Sequence, residues 1–312
     1  MNQVNQTLVT EFVFLGLTDD PHLQIPLFVL FLLVYIMAVL GNVGMMILIR
    51  MSPCLHTPMY FLLSHLSFLD VSCSSVVTPT LVMTSVFKRL SVSVLGCATQ
   101  LFLFMGLGST EVFILTMMAY DRYIAICRPL VYKVIMNHHV CVYFVVGAYV
   151  LALFHAVLQT TCTFRLTFCG SNEILHFYCE LPPLLKLSCT DTSLSEALLV
   201  FVAGGFMVFC LVIIFTSYIF IVAAILRIHS SDGRSRAFST CSSHFVCVTL
   251  FFGTLLFVYG RPSSNHSIEQ DRVAAAIYSM LIPMTNPFIY SLRNQQVKQA
   301  MRKAIGNLCV AR

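Results

Sequence analysis

Seven stretches of this chain are long and apolar enough to cross a bilayer, and no other feature narrows its fold as much. They run over roughly 25–49, 58–81, 95–120, 140–161, 197–226, 237–260 and 273–292. About 20 apolar residues suffice to carry a helix across the hydrocarbon core. The first, fifth and seventh runs contain no Asp, Glu, Lys or Arg. Only 10% of the 312 residues are charged and 58% are hydrophobic. A soluble domain carries about 25% charged residues, so that class is excluded. The expectation is an all-α membrane protein, a bundle of seven transmembrane helices. Residues 1–24 read as an N-terminal segment, 25–292 as the membrane domain and 293–312 as a tail. MNQVNQTLVTEF has neither the basic start nor the early apolar core of a signal peptide, so the first span is expected to act as its own insertion signal.

Loop charge gives an orientation. The loops after spans one, three and five, with the tail, hold 12 of the 18 Lys and Arg. The other side holds Lys88, Arg89, Arg165, Lys186, Arg261 and Arg272. The positive-inside rule then predicts an external N-terminus and a cytosolic C-terminus. The sequons at Asn5 and Asn265 both fall on the predicted outer side and are candidate glycosylation sites. So do Cys97, Cys169, Cys179 and Cys189, where disulfides can form. Four cysteines allow three pairings, and spacing does not choose among them.

Several motifs occur in order. Gly41-Asn42 lies in span one, PMYFLLSHLSFLD (58–70) opens span two, and MAYDRYIAICRPL (118–130) closes span three. Ser217-Tyr218 lies near the end of span five, RAFSTCSSH (236–244) opens span six, and PMTNPFIYSLRN (283–294) closes span seven. With these motifs the chain resembles, over nearly its whole length, the olfactory receptors among the rhodopsin-like (class A) G-protein-coupled receptors. Thr285, Phe252 and Tyr149 depart from the residues usual at those positions.

The resemblance implies roles. Asp121 and Arg122 are expected at the cytosolic end of span three, paired in the resting state. A basic anchor reaching the headgroups would account for an Arg alone; a latch accounts for Asp121-Arg122-Tyr123. Tyr218, Asn286, Pro287 and Tyr290 complete the G-protein switch, with Pro287 freeing a backbone carbonyl and permitting a kink. Asp70 and Glu111, the two acids within the bilayer, are expected to face the bundle interior beside Asn42 and Asn286 and to hold a sodium ion or share a proton.

Phe104, Met105, Gly108, Ser109 and Val112 fall on one face of span three. The receptor pattern adds Val202 and Phe206 of span five, and Leu255, Leu256 and Tyr259 of span six. From span seven it adds Ala276 and Ser279. This set suits a small, largely apolar volatile ligand. By resemblance Cys97 bonds Cys179 and Cys169 bonds Cys189, with Cys97–Cys189 as the alternative. HFYCE (176–180) offers His176, Cys179 and Glu180 to a soft metal, but a disulfide at Cys179 removes the needed thiolate, and no metal centre is expected.

The implied activity is odorant binding and activation of an olfactory-type stimulatory G protein, raising cyclic AMP at the plasma membrane. Implied partners are the odorant, the G protein, membrane lipids and trafficking chaperones, with no nucleic acid. The tail carries Lys298, Arg302 and Lys303 between apolar residues and reads as a short amphipathic eighth helix, with Cys309 as an acylation candidate. Few membrane acids and no inverted repeat argue against a channel or transporter. His65, His155 and His244 lie on different spans and give no metal-ligand spacing for an enzyme. A non-olfactory class A chemoreceptor is the nearest alternative.

Overall fold

The computed structural model describes residues 9–15, 20–169, 171–259 and 268–310. Seven helices cross the bundle: α1 (Pro21–Met51), α2 (Pro58–Val86), α3 (Val94–Cys127), α4 (His138–Phe164), α5 (Ser193–Leu226), α6 (Ser231–Tyr259) and α7 (268–293). An eighth, α8 (Gln295–Val310), follows directly. All seven are long and apolar enough to span a membrane.

Most helices overrun their apolar runs, and the reason is local. Hydropathy marks the hydrocarbon layer, whereas a helix ends where its backbone is capped or blocked. Asp20 caps α1 by accepting from the His22 amide at 2.9 Å, so the helix starts at Pro21, four residues before the predicted start at 25. Ser93 caps α3 through Gly96 N, and Asn137 caps α4 through Val140 N. At its other end α3 stops before Pro129, whose ring excludes helical backbone at Arg128. Asp121 and Arg122 therefore sit just past the apolar run and more than a turn before the end of α3.

Helix α3 is the hub of the bundle, packed against α2, α4 and α5 and touching α6. Helix α1 packs on α2 and α7. In lipid, helices associate by close packing and not by expulsion of water. Gly41 shows this: a Cβ there would stand 3.1 Å from Cγ of Pro287 on α7. The central core runs along α2 through Leu62, Leu63, Leu66, Leu69 and Leu81, each 0–1% exposed. On α8, Val297 and Ala300 are buried while Arg302 and Lys303 are exposed.

One part of the architecture is not helical. β1 (Glu11–Leu15), β2 (Arg89–Ser93) and β3 (Glu173–Ile174) form a sheet in the order β2-β1-β3. β1 runs antiparallel to β2, pairing Glu11 with Ser93 and Leu15 with Arg89, and parallel to β3. The sequence EFVFL alternates, so Phe12 and Phe14 point the same way, and both are 0% exposed. They join a second core containing Phe168, Leu101, Leu181, Leu184 and the Cys97 and Cys179 sulfurs. Two disulfides tie this region, Cys97–Cys179 with Cα atoms 5.4 Å apart and Cys169–Cys189 with Cα atoms 5.9 Å apart. Residues expected to be a plain N-terminal segment thus form the central strand of a cap over one end of the bundle.

Candidate functional site

A cavity of about 300 Å³ opens among α3, α4, α5, α6 and α7. Phe104, Met105, Gly108, Ser109 and Val112 line it from α3, with Phe206 from α5 and Leu255 from α6. Four other expected residues lie elsewhere. Val202 is half-buried off the cavity wall, Leu256 is 43% exposed, and Ala276 is absent from the lining. Ser279 is buried against α2, its hydroxyl donating to Ala275 O at 2.7 Å. The Tyr259 side chain lies outside the described residues, as do Asn5, Asn265 and the Cys309 side chain.

These misplacements have one main cause. The α5 backbone passes through a π-helical stretch at Leu198–Ala203, and α7 through another at Ile277–Leu281. A π turn inserts an extra residue and rotates what precedes it relative to a regular helix. Leu199, Val200 and Ala203 then face the cavity in place of Val202, and Tyr278 faces it in place of Ala276 and Ser279. Phe113, Gly204, Met207, and Leu151 and His155 of α4 complete the wall. A regular 3.6-residue period misses most of these. His155 was legible only as a polar residue within an apolar run.

Toward the other end of α3, Asp121 accepts from Arg122 at 2.5 Å (Nη2) and 3.1 Å (Nε), both on Oδ2. Its Oδ1 accepts from the Tyr132 hydroxyl at 2.7 Å. Tyr132 belongs to a short helix (Tyr132–Ile135) between α3 and α4. Burial, then the Asp121 charge, push the Tyr132 hydroxyl well above the usual tyrosine range, so it remains a donor. The Asp121 side chain is 0% exposed and Arg122 12%. This is a closed, three-membered cluster of which Asp121 and Arg122 were expected and Tyr132 was not.

Nearby, His244 bridges three helices. Its Nε2 donates to Leu115 O of α3 at 3.2 Å, which leaves Nδ1 of a neutral ring to accept from the Tyr218 hydroxyl at 2.6 Å. Tyr218 is therefore engaged across α5 and α6. Tyr123 packs near Phe220 of α5, with ring centroids 5.8 Å apart, and Tyr290 is 2% exposed.

Between cavity and cluster, Asp70 is 0% exposed and accepts from Asn286 Nδ2 at 3.0 and 3.2 Å. Glu111, 3% exposed, lies within electrostatic reach of Asp70. Asn42 does not donate to either acid; its amide donates to Ala38 O and Pro283 O. The Oδ1 atoms of Asn42 and Asn286 are buried without a hydrogen-bond partner among the described residues. Carboxyl and amide oxygens are hard donors and do not suit a soft metal.

The HFYCE loop does not gather a soft-metal set. Cys179 is spent in its disulfide, and His176 Nε2 stands 3.2 Å from Glu180 Oε2 without hydrogen-bond geometry. Burial, then the Arg272 charge, push the His176 ring down to about 3, so this contact is not between opposite charges. The unfolded chain protonates the same residue near the ordinary histidine value of 6.5. Stability therefore falls as pH drops through the window from 6.5 toward 3, and at pH 5 the loss from this group is about 2 kcal/mol. Thermal unfolding of purified receptor at pH 7 and pH 5 is expected to give a larger drop for wild type than for His176→Phe. Equal drops would mean the ring is already accessible in the folded loop.

The seven-helix arrangement is that of squid rhodopsin, whose crystal structure superposes with a TM-score of 0.70 at 18% identity, covering 93% of this chain and 88% of that one. At this identity the likeness defines the class of fold, a seven-helix receptor bundle. The olfactory receptor family model matches residues 31–307. Mouse olfactory receptor 5AR1 is 51% identical over 306 residues, 98% of this chain and 99% of the relative. Human olfactory receptor 8U9 is 47% identical over 307 residues, 98% of this chain and 99% of the relative. The chain belongs to the olfactory receptor family. It is a multi-pass plasma-membrane receptor of the G-protein-coupled class and not an enzyme, and its family implies a small-molecule ligand and a heterotrimeric G-protein partner.

Proposed function

We propose that the cavity binds a small, volatile, largely apolar odorant, and that binding opens the Asp121–Arg122–Tyr132 cluster. Arg122 then engages a stimulatory, olfactory-type G protein and cyclic AMP rises. In this reading the sheet-capped end faces outward and the cluster faces the cytosol. The observation that carries it is the placement of an apolar cavity and a closed charge cluster along one helix, α3. Gly108 and Arg122 are 14 residues apart, about 21 Å of helix. A ligand works across that span only through differential affinity for the closed and open bundles. The buried Asp70, with Glu111, Asn42 and Asn286, would hold a sodium ion or a shared proton in the closed state.

The test is a cyclic AMP assay in cells co-expressing the chain, trafficking chaperones and the olfactory stimulatory G protein, across a panel of volatile odorants. The expected result is a dose-dependent rise that Arg122→Ala abolishes at matched surface expression. Silence from wild-type receptor stained at the surface would overturn the odorant reading. In membranes from these cells, replacing sodium by choline is expected to raise odorant potency severalfold for wild type and not for Asp70→Asn. Unchanged wild-type potency removes the ion from the scheme.

A further inference from the structure

One imidazole interrupts the apolar cavity wall. His155 of α4 is 4% exposed and lines the cavity beside Ser109 of α3. Ser109 Oγ lies 3.0 Å from its Nδ1. The other ring nitrogen, Nε2, is buried and has no hydrogen-bond partner among the described residues. A buried polar atom left unpaired costs about 1–3 kcal/mol, so one beside a cavity marks a point where a ligand gains by pairing.

The protons can be assigned by elimination. Other α3 hydroxyls spend their proton on the carbonyl one turn back: Thr110 donates to Gly106 O and Thr116 to Val112 O, each at 2.8 Å. Ser109 makes no such bond; its partner is His155. If Ser109 donates to Nδ1, its proton is used and a neutral ring carries its own proton on Nε2. If Nδ1 donates to Ser109, the hydroxyl proton is stranded as well as Nε2. The first arrangement leaves fewer groups unpaired, and it leaves an unpaired N–H on a ring that lines a mostly apolar chamber.

We infer that the ligands of this receptor are carbonyl compounds, such as ketones, aldehydes and esters, whose single acceptor oxygen docks on His155 Nε2–H. Their apolar remainder packs against Phe104, Val112, Phe206 and Leu255. Ser109 is a positioning residue that fixes the tautomer. The inference rests on the cavity being the odorant site. Hydrocarbons and thiols fill the same volume and leave Nε2–H unpaired, so they bind less well.

The experiment uses the full chain in the cyclic AMP assay with a chain-matched series of roughly eight-carbon probes: a 2-ketone, a methyl ester, the alkane and the thiol. For wild type, the ketone or ester is expected to be roughly 10- to 100-fold more potent than alkane or thiol. His155→Phe keeps the ring and removes the donor; it is expected to erase that gap. His155→Gln, which restores an N–H donor, is expected to retain part of it. Ser109→Ala is expected to narrow it. Surface staining accompanies each variant; should His155→Phe fail to reach the membrane, Ser109→Ala and His155→Gln carry the comparison. Wild-type potency for alkane or thiol equal to that for the carbonyls overturns the inference, as does an undiminished gap in His155→Phe. Either result leaves the odorant reading standing. Silence across both this series and the broad panel overturns both readings.

Discussion

Asp121→Asn is expected to raise ligand-independent cyclic AMP at least about fivefold at matched surface expression. In the closed bundle the Asp121 carboxylate takes two hydrogen bonds from Arg122 and one from Tyr132. Asparagine keeps the shape but loses the charge and one acceptor. Arg122 then remains nearly buried without its counter-ion, a loss of about 3–5 kcal/mol for a buried pair. That penalty falls on the closed state, because in the proposed open state Arg122 has left Asp121. Each 1.4 kcal/mol shifts the populations about tenfold, so a fraction of the penalty suffices. Tyr132→Phe removes one hydrogen bond of about 1 kcal/mol and should raise basal signalling by a few-fold only. An unchanged basal level in Asp121→Asn, with surface expression intact, would mean the cluster does not hold the receptor shut.

The second large effect concerns the cap. Phe12→Ala or Phe14→Ala is expected to cost about 3–5 kcal/mol and to remove most of the receptor from the cell surface. Both rings are fully buried, and Phe12 meets Phe168 edge-on with centroids 5.3 Å apart. The neighbouring Glu11 and Val13 point to the other side of the strand, and Glu11 is exposed. Glu11→Gln is therefore the control, with a loss within about 0.5 kcal/mol. The exposed Arg89–Glu173 ion pair across the sheet adds little, since surface pairs contribute about 0–1 kcal/mol. Surface levels of the phenylalanine variants equal to Glu11→Gln would show the sheet to be dispensable.

How much of this was readable beforehand depended on period and range. A span's apolar run announces itself over 20 residues, so seven helices were legible from the sequence. The Asp121-Arg122 pair stood out because charge is costly in that setting. Tyr132 did not, since its partner lies 11 residues back and nothing local marks the contact. The sheet escaped because β1 is five residues long and β3 two, with partners about 80 and 160 positions away. Pocket residues on α3 were legible because α3 is regular there. Those on α5 and α7 were not, because a π turn is a property of the packed bundle and leaves no fixed mark on composition. His155 became meaningful only beside Ser109.

The sheet also sets an order of events. Residues 11–15 are made early, but their parallel partner, 173–174, is made about 160 residues later. At roughly 5–20 residues per second the central strand waits on the order of 8–32 seconds before that edge exists. During that time Phe12 and Phe14 have β2 and the start of α3 but lack Phe168, Leu181 and Leu184, and Cys97 has no Cys179 to pair with. The nascent receptor therefore passes through an interval with a part-covered aromatic strand and an open thiol, at four membrane crossings out of seven. Its yield should depend on whatever shields that strand until the loop before α5 arrives.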